Sequence, residues 1–298
     1  MATGGTGHTV VERTIPLGGD IELAIAEAGV GGAPLVLFHG FTGCKEDFED
    51  WMVPLAERGW HVVAPDNRGH GGSSRPAGEA SYSLEIFAAD GLALLDALGW
   101  DRAVVLGHSM GGMFVQEMVL NAPERFAGMI LMDTGHAAIS IDGELLELGV
   151  GLARAGDLDT IADVLSNGDA EVLGTPAAER LARERPELNE RHFANLRRLS
   201  HDMYAAMATE LTRRPDRLPA FADVEGVPTL VVVGEQDEPF VAQSEALAAT
   251  IPGATLAVVP DAGHCPQQEA PAAWWEVVGA FLDRLSAPSG AAVSGGVG

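Results

Sequence analysis

The stretch Ala103-Val104-Val105-Leu106-Gly107-His108-Ser109-Met110-Gly111-Gly112-Met113-Phe114-Val115-Gln116 decides how this chain is read. Its first four residues are a short run of Val and Leu that reads as a buried strand, and the residues from Gly112 onward begin a helical pattern. A turn leading straight from a buried strand into a helix is sharp and strained, and Gly107 and Gly111 bracket Ser109 where close packing demands the smallest residue. Such a turn lifts the Ser109 hydroxyl above a sheet edge, beside a helix N-terminus whose dipole favours negative charge.

Working outward, short apolar runs alternate with longer helical patterns, the signature of parallel strands joined by crossover helices in an α/β fold. Leu35 to Phe38, His61 to Ala64, Ala103 to Leu106, Met129 to Met132, Thr229 to Val233 and Leu256 to Val259 read as buried strands of one central sheet. Glu46 to Arg58, Leu84 to Leu98, Gly111 to Asn121, Val241 to Thr250 and Ala272 to Leu285 read as helices covering its two faces. Val10 to Ile15 and Ile21 to Glu27, separated by a Gly-Gly-Asp turn, read as an antiparallel hairpin at one edge. The alternation lapses after Asp133 and resumes near Val227. Residues 1–135 and 223–286 are therefore expected to form the core, residues 136–222 an inserted helical cap over the ligand crevice, and residues 287–298 a disordered tail. Phe193, Met203, Tyr204 and Met207 fall at helical spacing within the insertion and read as a packed face.

A serine at neutral pH is a poor nucleophile and needs a base, which in turn needs an orienting acid. His264, in Asp261-Ala262-Gly263-His264 just past the last strand, is the best placed of the nine histidines. Asp237, in the loop after Thr229 to Gly234, is the preferred acid, and Asp133, after Met129 to Met132, is its rival on the same sheet edge. Glu235 and Glu238 read as solvated neighbours of Asp237. An oxyanion needs donors, typically backbone amides. Met110 follows the serine, and Phe41 lies in the glycine-punctuated turn Phe38-His39-Gly40-Phe41-Thr42-Gly43.

These segments, together with Asp66-Asn67-Arg68-Gly69-His70-Gly71-Gly72-Ser73, resemble in their order the alpha/beta-hydrolase superfamily from about Ile21 to Leu285. The resemblance implies a mostly parallel eight-stranded sheet with a helical cap, and the roles of nucleophile, acid and base for Ser109, Asp237 and His264. It also implies that the Asp66 to Ser73 loop supports the site. Dehalogenases and epoxide hydrolases of the superfamily carry a carboxylate where Ser109 stands, and its carbon-carbon bond hydrolases usually carry Trp where Cys265 stands. The expected activity is therefore hydrolysis of a small or medium carboxylic ester or lactone through an acyl-enzyme. The alternatives are a carbon-carbon bond hydrolase, a perhydrolase of the haloperoxidase type, and a small-molecule receptor on the same fold.

Composition bounds the partners. Of 298 residues, 47% are hydrophobic, enough for one large core without metal or disulfide support. The formal net charge of −25 would repel nucleic acid and anionic lipid. Cys44 and Cys265 are too few for a disulfide framework or a thiolate metal cluster, and fit a reducing cytoplasm. No HExxH, CxxC or phosphate loop occurs, so no metal or other cofactor is expected. The start lacks a signal-peptide pattern and no run of about 18 apolar residues occurs, so neither export nor a membrane span is expected. The expected partner is a small-molecule substrate, and the oligomeric state is left open.

Overall fold

The computed structural model describes residues 8–166 and 174–286. The expected tail at residues 287–298 and part of the expected insertion, residues 167–173, lie outside the described residues.

The chain opens with β1 (Val11–Gly18) and β2 (Ile21–Ala28), the expected antiparallel hairpin. β3 (Ala33–Phe38), β4 (Trp60–Pro65), β5 (Ala103–His108), β6 (Phe126–Met132), β7 (Thr229–Gly234) and β8 (Thr255–Val259) follow. They form one eight-stranded sheet in the order β1-β2-β4-β3-β5-β6-β7-β8, parallel from β4 to β8. The hairpin joins it through the antiparallel pairing of β2 with β4.

Side chains alternate between the faces of a strand, and here that alternation separates two apolar layers. Val105, Leu131 and Val233 pack on one face with Phe87 of α2 (Leu84–Ala97), Phe114 of α3 (Met110–Asn121) and Leu247 of α10 (Glu238–Thr250). Leu106, Ile130 and Val232 pack on the other with Met52 of α1 (Glu49–Glu57) and Trp274 and Phe281 of α12 (Pro271–Ser286). The helix expected over Glu46 to Arg58 instead begins as a 3₁₀ turn, Lys45–Phe48, before α1. α2 starts at Ser83, whose hydroxyl accepts the amide of Ile86.

β8 departs from expectation. Read as a buried strand, it is the sheet's outer edge and pairs only with β7. Leu256 and Val258 are accordingly 38% and 47% exposed. An edge strand cannot be told from a central one by its apolar content alone, because that content reports burial of faces and not of flanks.

Between β6 and β7 lie α4 (Gly143–Arg154), α5 (Leu158–Ser166), α6 (Pro176–Glu184), α7 (Pro186–Leu196), α8 (His201–Leu211) and α9 (Leu218–Phe221). Met203 and Met207 of α8 are buried in the same layer as α2 and α3, with Phe193 and Tyr204 packed against it. A buried ion cluster ties this helical run to the sheet. Arg214 donates to Glu117 of α3 at 3.0 Å and to the carbonyl of Gly135 at 2.8 Å, while Arg217 makes two 2.8 Å bonds to Glu117. Among the described residues, no helix is long and apolar enough to cross a membrane.

Candidate active site

Ser109 sits between β5 and α3 with φ 54 and ψ −120, a conformation that L residues rarely adopt. Its surroundings enforce it. The Ser109 amide donates to the carbonyl of Met132 at 2.9 Å, and its carbonyl accepts from Met113 N–H at 3.1 Å and Thr134 Oγ1 at 2.7 Å. A Cβ on Gly107 would lie 2.5 Å from the carbonyl oxygen of Gly111, and one on Gly111 would lie 2.6 Å from that of Phe38. Glycine at these two positions is therefore a matter of space, and the elbow packs directly on the end of β3.

The turn after β3 reaches the serine from the other side, for a Cβ on Gly40 would meet Ser109 Cβ at 3.1 Å. Two buried histidines hold this turn. The backbone N–H of Asn67 donates to His39 Nε2 at 3.0 Å, so the ring proton is on Nδ1, which donates to the carbonyl of Gly40 at 2.8 Å. His70 Nε2 lies 2.8 Å from the carbonyl of Phe41 and Nδ1 lies 3.0 Å from that of Arg68. Burial pushes both histidines below the ordinary range. Asp66 anchors the supporting loop by accepting the amides of Lys45 and Gly72, each at 3.0 Å. Phe41 packs 4.9 Å from Tyr204 of α8, so the inserted helices contact this turn. The Met110 amide belongs to the first turn of α3, where amides have no intrahelical acceptor.

His264 lies between β8 and α11 (Pro266–Glu269), its Nδ1 2.9 Å from Oδ2 of Asp237. Phe240 stacks on the imidazole, with ring centroids 5.1 Å apart. Asp237 follows β7, immediately precedes α10 and is 1% exposed. Glu235 and Glu238 are exposed beside it. Asp133, the rival acid, lies buried after β6 with φ 46, and its Oδ1 accepts the amide of Gly234 at 2.8 Å. Burial and the charge of Asp237 hold its carboxyl well above the carboxylate range.

Supporting groups that sequence reasoning left aside complete the arrangement. Glu269 accepts the amide of Gly263 at 2.5 Å, fixing the residue before the histidine. Burial raises its carboxyl above the usual range. His108 donates from Nε2 to the carbonyl of His264 at 2.7 Å. Its position directly before Ser109 was the available signal, but its partner lies 156 positions away. Cys44 is buried, with Asn195 donating to its sulfur at 2.8 Å, and Cys265 is half-buried. Burial pushes both thiols up, away from the thiolate form. One oxygen from each of Asp133 and Asp237 and one nitrogen of His264 lie within 4.8 Å of one another. Amide and imidazole donors already hold one oxygen of each carboxylate, an arrangement suited to a chain of hydrogen bonds.

Comparison with known proteins agrees with this architecture. The family described as "alpha/beta hydrolase fold" matches residues 33–271. Epoxide hydrolase A of Mycobacterium tuberculosis is 40% identical over 119 residues, 40% of this chain, which spans only 37% of that protein's length. 3-Oxoadipate enol-lactonase 2 of Acinetobacter baylyi is 29% identical over 268 residues, covering 90% of this chain and 95% of the relative. A thermophilic esterase from Thermogutta terrifontis superposes with a TM-score of 0.77 at 28% identity, covering 93% of this chain and 99% of the esterase. Sheet order, elbow and family match converge, and the chain belongs to the alpha/beta hydrolase fold family, as a hydrolase.

Proposed function

We propose that the protein hydrolyses small or medium carboxylic esters or lactones through an acyl-enzyme on Ser109. The observation that carries this reading is the 2.9 Å bond between His264 Nδ1 and Asp237 Oδ2, on the loops that flank a strained serine. Asp237 accepts the Nδ1 proton and leaves Nε2 with the lone pair that a general base needs. His264 takes the Ser109 proton as Oγ attacks the acyl carbon, then returns it to the departing alkoxide. Water repeats the sequence to release the acid. The amides of Met110 and Phe41 receive the oxyanion, and the first-turn dipole of α3 adds to them. The helices between β6 and β7 act as the cap, since Tyr204 contacts Phe41 beside the site.

Two of the relatives aligned over most of their length support the bond type, one named an enol-lactonase and one an esterase. The epoxide hydrolase match carries less weight, because it covers only 37% of that protein. The test is a panel of p-nitrophenyl esters of increasing chain length, lactones and β-diketones, with mass spectrometry of the trapped enzyme. Sustained turnover of an ester or lactone with an acyl adduct on Ser109 is expected. Turnover of β-diketones alone, or a single turnover with no release, would replace this reading.

A further inference from the structure

Two buried carboxyl groups lie beside the candidate base, an oxygen of each within 4.8 Å of the other and of a nitrogen of His264, and the acyl-enzyme reading uses only one of them. Asp133 and Asp237 are 0% and 1% exposed. Each has one oxygen with a donor: Asp133 Oδ1 accepts Gly234 N–H at 2.8 Å, and Asp237 Oδ2 accepts His264 Nδ1–H at 2.9 Å. Each has one oxygen with none, Asp133 Oδ2 and Asp237 Oδ1. A buried carboxylate oxygen without a donor is costly, and two anions this close without solvent are more so. One proton between the two groups removes both costs.

We propose that Asp133 is a positioning residue that keeps its proton and donates it from Oδ2 to Oδ1 of Asp237. The proposal rests on the acyl-enzyme reading for its catalytic consequence, but not for the proton itself. The proton belongs on Asp133 because Asp237 faces an imidazole that carries positive charge during turnover, whereas Asp133 faces a neutral amide. Backbone bonds hold the two carboxyl groups in place. Asp133 N–H donates to Val232 at 2.9 Å, and Gly234 N–H, which binds Asp133 Oδ1, precedes Asp237 by three residues on the same loop. Burial and the Asp237 charge both raise the Asp133 carboxyl, in the same direction as the geometry. The other ionisable groups acting on this cluster are Glu269 and Cys265 from the α11 segment and His108 from β5, while His192 from α7 acts on His264. None of these groups hydrogen-bonds to either unpaired oxygen.

The proton does two things for the site. It fixes the Asp237 carboxylate through the oxygen that His264 does not bind, so that Oδ2 points at Nδ1. It also leaves the pair with a single negative charge, enough to stabilise one imidazolium.

The test is an infrared difference spectrum of the purified protein at neutral pH, parent minus Asp133→Asn, in the region of the protonated carboxyl stretch. A band present in the parent and lost in the variant is expected. In parallel, Asp133→Ala should lower kcat by about ten- to a hundredfold with little change in KM, since a hydrogen bond to a charged group is lost. Asp133→Asn, whose amide reproduces both the donor and the acceptor, should recover most of that loss and keep the acid limb of kcat/KM in place. Absence of the difference band would overturn the proposal. So would an acid limb displaced by about a pH unit in Asp133→Asn, because it would mean that a charge had been removed. Loss of activity on chelation, restored by one divalent ion, would put a cation where the proton is proposed. A fully active Ser109→Ala protein would sink the acyl-enzyme reading and leave the infrared result standing.

Discussion

The imidazole of His108 donates from Nε2 to the backbone carbonyl of His264 at 2.7 Å, so the residue before the elbow serine is tied to the loop that carries the candidate base. A carbonyl only accepts, so the ring proton is on Nε2 and the buried Nδ1 is left without a partner. Protonating Nδ1 would bury a charge, and burial lowers this histidine from 6.5 to about 3. The folded protein therefore refuses a proton that the unfolded chain accepts. Below pH 6.5 the unfolded state binds the extra proton, and stability falls until the folded group also titrates near pH 3. Relative to His108→Gln, the parent should lose about 1.4 kcal/mol per pH unit across that window. Urea unfolding at a series of pH values checks it, and parallel curves for the two proteins would contradict it.

Ser109→Ala should fold as the parent does and lose about four orders of magnitude in kcat. A fluorophosphonate should label the parent at Ser109 and leave the variant unlabelled. Asp237→Asn should also fold, and its loss should exceed that of Asp133→Asn, because only Asp237 is bonded to the imidazole. The opposite ranking would transfer the orienting role to Asp133.

The two cysteines should be poor nucleophiles at neutral pH, since burial keeps both thiols protonated. Cys265→Ser is expected to retain most activity, while a bulky thiol reagent acting slowly on the native protein inhibits by obstruction. Inactivity of a folded Cys265→Ser protein, comparable to that of Ser109→Ala, would reopen a chemical role for the thiol.

Removing Glu117 should be among the most damaging single changes outside the site. Glu117→Ala strands the buried Arg214 guanidinium and should cost about 3 to 5 kcal/mol. Arg214→Met leaves Glu117 paired with Arg217 and should cost less. Denaturant midpoints of the two variants give the ranking directly.

Much of this architecture was legible from residue order. The alternation located every strand of the sheet to within a few residues, since buried strands and amphipathic helices differ in period. Ser109, His264, Asp237 and Phe41 stood out because each follows a strand, and strand ends are where a parallel sheet gathers its functional side chains. Spacing alone did not separate Asp237 from Asp133, since both leave the same sheet edge, and the preference for Asp237 came from the order of the motifs. Not legible at all were His70 beneath Phe41, Glu269 beneath Gly263 and Arg214 against Glu117, whose partners lie 29, 6 and 97 positions away. No local pattern marks such pairs. The exposure of β8 went unread for a related reason, because whether a strand is last in the sheet is a property of topology.

The pairing of Arg214 and Arg217 with Glu117 sets a rule for transplanting parts between relatives. The helices between β6 and β7 are contiguous in sequence, so exchanging them for those of another protein looks like a clean way to alter substrate preference. Yet Glu117 belongs to the helix that begins immediately after Ser109, outside the exchanged segment. A graft lacking both arginines would leave a bare anion seven residues along that helix, and one that brings them to a host without the acid would bury the Arg214 guanidinium without its counter-ion. A successful exchange has to treat position 117 as part of the donor segment, though 17 residues of chain separate it from Gly135.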